Sequence, residues 1–128
     1  MKLFFTYLAS LTTLVILDLA WTGWFARGFY TSRIGHLFAE SVSWFPIIIF
    51  YLAYSAAIVY FVVLSNDVSI SKSIFLGAEF GAIAYATYDL INQATLAGWP
   101  WSITIVDIVW GTILSACVAF VGTSISLL

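Results

Sequence analysis

The chain has 128 residues, of which 63% are hydrophobic and only 8% are charged, and its mean hydropathy is +1.09. Soluble domains carry about 25% charged residues, so this composition excludes a globular domain dissolved in water. A net charge of −2, with only four Lys and Arg residues, also excludes nucleic-acid binding. The sequence therefore predicts an integral membrane protein.

Four apolar segments are long enough to cross a bilayer, which takes about 20 residues of helix. In chain order they cover residues 3–25, 44–64, 73–96 and 102–127. We predict an all-α fold, a polytopic bundle of four transmembrane helices that forms one domain over residues 1–128, with both termini on the same side. The first segment contains Asp18 and is longer than the apolar part of a signal peptide, so we interpret it as a retained helix.

Short links join the four predicted spans. Residues 27–43 form a polar link with room for a short interfacial helix, and residues 65–72 form a hydrophilic turn. Residues 97–101 form a tight turn at Pro100, which restricts the residue before it. Trp99 and Trp101 in this turn are expected in the headgroup layer, where aromatic side chains are enriched. The basic residues divide almost evenly between the two faces, and we assign the termini to the cytoplasm.

Three aspartates interrupt the apolar segments: Asp18, Asp89 and Asp107. A carboxylate in hydrocarbon costs roughly 3 kcal/mol or more, so it normally faces a protein interior and has a partner. At a rise of about 1.5 Å per residue, all three lie at a similar depth, towards the end of the bundle opposite the termini. The spacing predicts one polar layer beneath the link that holds Arg27 and His36.

Side chains one helical turn from each aspartate are suited to donate a hydrogen bond to it. Three such neighbours follow the aspartates at a distance of three residues: Trp21, Asn92 and Trp110. Tyr85 and Tyr88 add aromatic surface, and the single histidine of the chain is a candidate proton acceptor. The alternative is a purely structural role, in which the aspartates lock the bundle. The candidate ligand-binding residues are Asp18, Trp21, His36, Tyr85, Tyr88, Asp89, Asn92, Asp107 and Trp110.

Motifs for catalysis or for metal and cofactor binding are missing from the sequence. It has no nucleophile elbow, no HExxH, no aspartate-rich metal motif, no phosphate loop and no redox-cofactor signature. One cysteine and one histidine exclude a cysteine cluster or a two-histidine site within one chain. We therefore predict no metal and no cofactor, name no catalytic residue, and regard an enzyme as the less favoured class.

Motif-like stretches extend along nearly the whole chain. The first group comprises Leu17-Asp18 with Trp21 and Gly23, Phe29-Tyr30, Gly35-His36-Leu37, Phe50-Tyr51-Leu52 with Tyr54, and Phe80-Gly81. The second and more specific group comprises Tyr85-x-Thr87-Tyr88-Asp89-Leu90-x-Asn92, Ala94-Thr95-Leu96, Trp99-Pro100 and Asp107-x-x-Trp110-Gly111-Thr112. Together they resemble a bacterial family of small four-helix integral membrane proteins known only as a domain of unknown function. The resemblance implies the same fold and a bacterial inner membrane, and it supplies no catalytic residues.

Three functions are compatible with these observations. The first, which we favour because polar and aromatic side chains share one layer, is binding or transport of a small amphipathic, cationic or lipid-like molecule, with proton coupling as an option. The second is an accessory or structural subunit of a larger membrane complex, with contacts through Gly77, Gly81, Gly111 and Ser115. The third is a membrane enzyme acting on a lipid or isoprenoid. The expected partners are the lipid bilayer, a small ligand, and a second copy or another membrane protein.

Overall fold

The computed structural model describes residues 1–65 and 67–128, and all regular elements in that part of the chain are helical. Helix α1 spans Lys2–Ala20 and continues as a π-helical turn, Trp21–Phe25. The short α2 spans Arg27–Ile34 and precedes a 3₁₀ turn, Gly35–Leu37, and α3 spans Trp44–Ile58 and continues as a second π-helical turn, Val59–Val63. The last two helices are α4, which spans Ile70–Thr95, and α5, which spans Trp101–Ser126.

Four helical segments of the described chain are long and apolar enough to cross a membrane: Lys2–Phe25, Trp44–Val63, Ile70–Thr95 and Trp101–Ser126. The prediction of an all-α, four-span membrane protein is therefore confirmed. The polar link between the first two spans contains α2, so the short helix allowed for in that link is present, and its position at the membrane interface stays a prediction.

Local sequence signals explain where α4 and α5 begin and end. The Ser69 hydroxyl caps α4 by accepting a hydrogen bond from the Lys72 backbone N–H at 3.2 Å. After α4 ends, Gly98 adopts a φ of +74°, a left-handed conformation that side-chain-bearing residues rarely take. Pro100 then precedes the first turn of α5, where its missing N–H leaves no donor unsatisfied. The turn between the two helices is therefore encoded by Gly98 and Pro100.

Helix α5 lies at the centre of the bundle, because it contacts α1, α3 and α4 and packs most extensively against α4. Small residues make the α4–α5 approach close: a Cβ atom added to Gly77 would lie 2.6 Å from the Ala119 Cβ, and one added to Gly81 would overlap Gly111 and lie 2.7 Å from the Ser115 Cβ. These two small-residue faces are occupied within the chain. These residues therefore pack α4 against α5, and a contact between them and another protein stays a prediction.

The expected position of Trp99 is also wrong. Trp101 is 62% exposed, as a lipid-facing belt residue should be, but Trp99 is only 8% exposed. The Trp99 indole turns into the α4–α5 hairpin and donates to the Thr104 hydroxyl at 3.2 Å, while the Trp99 carbonyl accepts from Gln93 Nε2 at 2.7 Å. The Thr104 hydroxyl in turn donates to Gln93 Oε1 at 2.8 Å. The buried indole N–H is therefore satisfied by a hydrogen bond within the hairpin.

Candidate functional site

The Asp18 carboxylate lies in the last turn of α1 and joins three helices. It accepts a hydrogen bond from the Tyr51 hydroxyl of α3 at 2.8 Å and from the Trp110 indole of α5 at 3.3 Å. The hydroxyl of Thr22, one helical turn after Asp18, donates instead to the Asp18 backbone carbonyl at 2.8 Å. The partners of this carboxylate therefore come from other helices.

The Asp107 carboxyl group of α5 accepts a hydrogen bond from the short helix α2. The Tyr30 hydroxyl donates to Asp107 Oδ1, and the same hydroxyl accepts from the Trp21 indole at 3.2 Å. Burial, together with the hydrogen bond to Asp107, raises the pKa of the Tyr30 phenol above its ordinary value of 10.0. Tyr30 is therefore a neutral donor at neutral pH. Tyr30 is not among the candidate residues predicted from the sequence. Its position could have indicated this role, because a tyrosine hydroxyl in a polar link next to buried carboxyl groups can donate to them.

Two stacked tryptophans connect the Asp18 branch to the Asp107 branch. The rings of Trp21 and Trp110 have centroids 4.5 Å apart and planes inclined by only 7°. Trp110 donates its indole proton to Asp18, whereas Trp21 donates to Tyr30. The prediction paired each tryptophan with the aspartate of its own helix; the structure pairs Trp110 with Asp18 and leaves Trp21 one step from Asp107.

Asp89 of α4 is completely buried, and it differs from the other two aspartates in having no donor. Among the residues that the structure describes, neither of its carboxylate oxygens has a hydrogen-bond partner in bonding geometry. Its polar neighbours are the Asp107 carboxyl and the Trp99 indole, whose N–H is directed to Thr104. Two acidic groups therefore lie side by side between α4 and α5.

Four further predicted site residues lie outside the network of hydrogen-bonded and stacked side chains around Asp18 and Asp107. The Tyr85 ring packs over Gly111. Tyr88 is 59% exposed, and its ring lies edge-to-face with that of Trp99. The side chain of Asn92 forms no hydrogen bond with any described residue; its backbone carbonyl accepts from the Leu96 N–H at 2.9 Å. His36 is exposed in its 3₁₀ turn, outside the network.

A cavity of about 880 Å³ lies between α1, α3 and the link that joins them. Asp18 and Tyr51 bring its wall into contact with the network described above. A smaller, almost wholly apolar cavity of about 360 Å³ shares the side chains of Phe50 and Tyr88 with it. The larger cavity is lined by Asp18, Leu19, Thr22, Gly23, Arg27, Phe38, Val42, Trp44, Pro46, Ile47, Phe50, Tyr51 and Tyr88.

The carboxyl groups of Asp18 and Asp107 accept their hydrogen bonds from neutral donors. Arg27 lines the large cavity but forms no hydrogen bond or ion pair with any described residue. Arg33 is directed elsewhere, with its guanidinium 3.9 Å from the Phe29 ring centroid and its Nε donating to the Ser102 hydroxyl at 3.0 Å. The Asp18 carboxyl group therefore lines the cavity without a bound cationic side chain among the described residues.

The fold and this network define a small integral membrane protein with a polar intramembrane cluster at one end of a four-helix bundle. The chain belongs to the family described as predicted membrane protein (DUF2177), which matches residues 3–124. This match confirms the resemblance found in the sequence motifs. The comparison with curated proteins and the comparison with solved structures each found no match.

Proposed function

We propose that the protein binds a small amphipathic molecule with a cationic group in the cavity at Asp18, and that it transports this molecule. The observation that carries the proposal is the Asp18 carboxylate, which lines a cavity of about 880 Å³ and has neutral hydrogen-bond donors as its only described partners. Ligand pockets commonly have volumes of about 300–1,000 Å³ and are mostly apolar with a few polar groups.

The cavity wall matches the two halves of such a ligand. A carboxylate has about four acceptor sites, so Asp18 retains capacity for a cation beyond its bonds to Tyr51 and Trp110. Phe50, Tyr51 and Tyr88 present aromatic rings, whose faces attract cations. The adjoining apolar cavity at Phe50 and Tyr88 accommodates a hydrocarbon substituent.

Arg27 sets a limit on the position of the cationic group. Its guanidinium lines the same cavity and is exposed. A ligand cation should therefore lie at Asp18 and away from Arg27, which is left for an anionic or polar substituent. Placing the cation at Asp18 and the polar substituent at Arg27 distinguishes the proposed site from a general attraction of cations to the membrane surface.

Tetraphenylphosphonium is a suitable probe, because it is a compact aromatic cation. We expect it to bind the purified protein in nanodiscs, and we expect Asp18→Asn to weaken binding about 30-fold or more, as loss of a desolvated charge partner typically does. Equilibrium dialysis measures both affinities. Tetraphenylborate, which has the same shape and the opposite charge, should show no binding beyond that to nanodiscs without the protein.

Two variants serve as controls for this experiment. Asp67→Asn removes the same charge from an exposed loop aspartate and should leave the affinity unchanged. Arg27→Gln should preserve or strengthen binding of the cation. Equal affinities for wild type and Asp18→Asn, or binding of tetraphenylborate with similar strength, would show that Asp18 is not a cation site. Uptake of tetraphenylphosphonium into proteoliposomes then separates transport from binding alone.

A further inference from the structure

We infer that Asp89 and Asp107 form a proton-binding site, in which the two carboxyl groups hold one proton between them. Asp89 is 0% exposed, and neither of its oxygens has a donor among the described residues. Its nearest acidic neighbour is the carboxyl group of Asp107. The lining of the large cavity includes neither Asp89 nor Asp107. The inference therefore stands independently of the proposed ligand.

An ionised Asp89 would be costly at this buried position, because neither of its oxygens has a donor among the described residues. A buried ionised carboxylate without a hydrogen bond is strongly destabilised, and a second carboxylate beside it adds repulsion. One bound proton removes both penalties, because it cancels one charge and supplies an O–H donor between the two groups. Carboxyl pairs that lie this close do not ionise together.

The proton belongs mainly to Asp89. Asp107 already accepts a hydrogen bond from the Tyr30 hydroxyl, which favours its ionised form as acceptor. Asp89 has no such donor. When Asp89 is protonated, its O–H donates to Asp107, and the hydrogen-bonding capacity of Asp89 is then satisfied. The arrangement is thus an ordered chain in which Trp21 donates to Tyr30, Tyr30 donates to Asp107, and Asp89 donates to Asp107 from the opposite side.

The surroundings favour a proton over a metal ion. Within the described chain, no three His, Cys, Asp or Glu side chains come together. The nearby oxygens of Gln93 and Thr104 are already bonded to each other at 2.8 Å. The titratable groups that face the pair are Tyr30 from α2, Asp18 from α1 and Tyr85 from α4, and none of them is basic.

Infrared spectroscopy of the ligand-free protein in lipid tests this site directly. At neutral pH, wild type should show the carbonyl stretch of one protonated aspartic acid per chain. Selective ¹³C labelling of the aspartate side-chain carboxyl should shift this band, which assigns it to aspartic acid and excludes glutamic acid and lipid. Asp89→Asn should abolish the band, because the amide N–H replaces the proton as donor to Asp107.

Asp18→Asn is the matched control and should retain the band. A wild-type spectrum without a labelled carboxylic-acid band overturns the inference, and so does loss of the band in Asp18→Asn. Replacing choline chloride by sodium chloride should leave the band unchanged; its disappearance would show that Na⁺, not a proton, occupies the pair. If Asp89→Asn fails to fold, the labelled wild-type and Asp18→Asn spectra still decide. Failure here leaves tetraphenylphosphonium binding at Asp18 untouched, so the two proposals fail separately.

Discussion

Gly81→Leu should prevent α4 from packing against α5 and lower the free energy of unfolding by about 3 kcal/mol or more, the upper range of overpacking effects. At this position even a Cβ atom would overlap the Gly111 carbonyl oxygen and lie 2.7 Å from the Ser115 Cβ. A leucine side chain therefore has to move the two helix backbones apart. Thermal unfolding in detergent, followed by tryptophan fluorescence, measures the loss.

Gly23→Leu provides the matched control for Gly81→Leu. It makes the same chemical change within a membrane span, at a glycine whose added Cβ would meet nothing within 4 Å. We expect its melting temperature to stay close to that of wild type. Equal melting temperatures for Gly81→Leu and Gly23→Leu would show that close approach of α4 and α5 does not hold the bundle together.

Tyr30→Phe should release α2 from the bundle and cost about 2–3 kcal/mol of stability. The change removes the only hydrogen-bond donor that the described structure gives to Asp107, and it leaves the Trp21 indole N–H without its acceptor. Hydrogen bonds to charged groups are worth about 1.5–3 kcal/mol, and an unsatisfied buried partner adds its own desolvation penalty. Amide hydrogen exchange across residues 27–34, together with thermal unfolding, measures the effect.

The stabilising effect of Tyr30 should depend on pH in a defined direction. Its pKa is raised on folding, so its contribution is complete below the ordinary value of 10.0 and declines as the pH rises above that value. Wild type and Tyr30→Phe should therefore differ in stability at neutral pH and converge in strong alkali. Tyr60→Phe is the control, because Tyr60 is 69% exposed and its hydroxyl bonds to no described residue. A constant difference across the alkaline range would contradict the assignment of Tyr30.

The four spans were predictable because length and apolar composition are properties of each helix alone. Partners within the network were not, because the rule that links residues three or four apart finds neighbours on one helix only. Asp18 illustrates the limit: its cost in the membrane is visible in the sequence, but its donors Tyr51 and Trp110 lie 33 and 92 residues further along the chain. Such pairings depend on how the helices are arranged.

The π-helical turn at the end of the first span also had no signature in the apolar pattern. Trp21–Phe25 continues α1 as a π-helical turn, in which the Ala26 N–H bonds to the Trp21 carbonyl at 2.7 Å. This wider turn changes the direction in which the following side chains project. Extrapolating the regular helical repeat from Asp18 therefore misassigns the partner of Trp21.

The sharing of Asp18 among three helices has a consequence for biosynthesis. The ribosome completes α1 long before α5, which carries the Trp110 donor. During that interval the first span holds an acidic group whose cost in hydrocarbon is roughly 3 kcal/mol or more. The inserted α1 therefore carries this cost until α3 and α5 supply the donors Tyr51 and Trp110. A chain that ends before α5 would lack the Trp110 donor, and its Asp18 carboxyl group would keep an unused acceptor within the membrane.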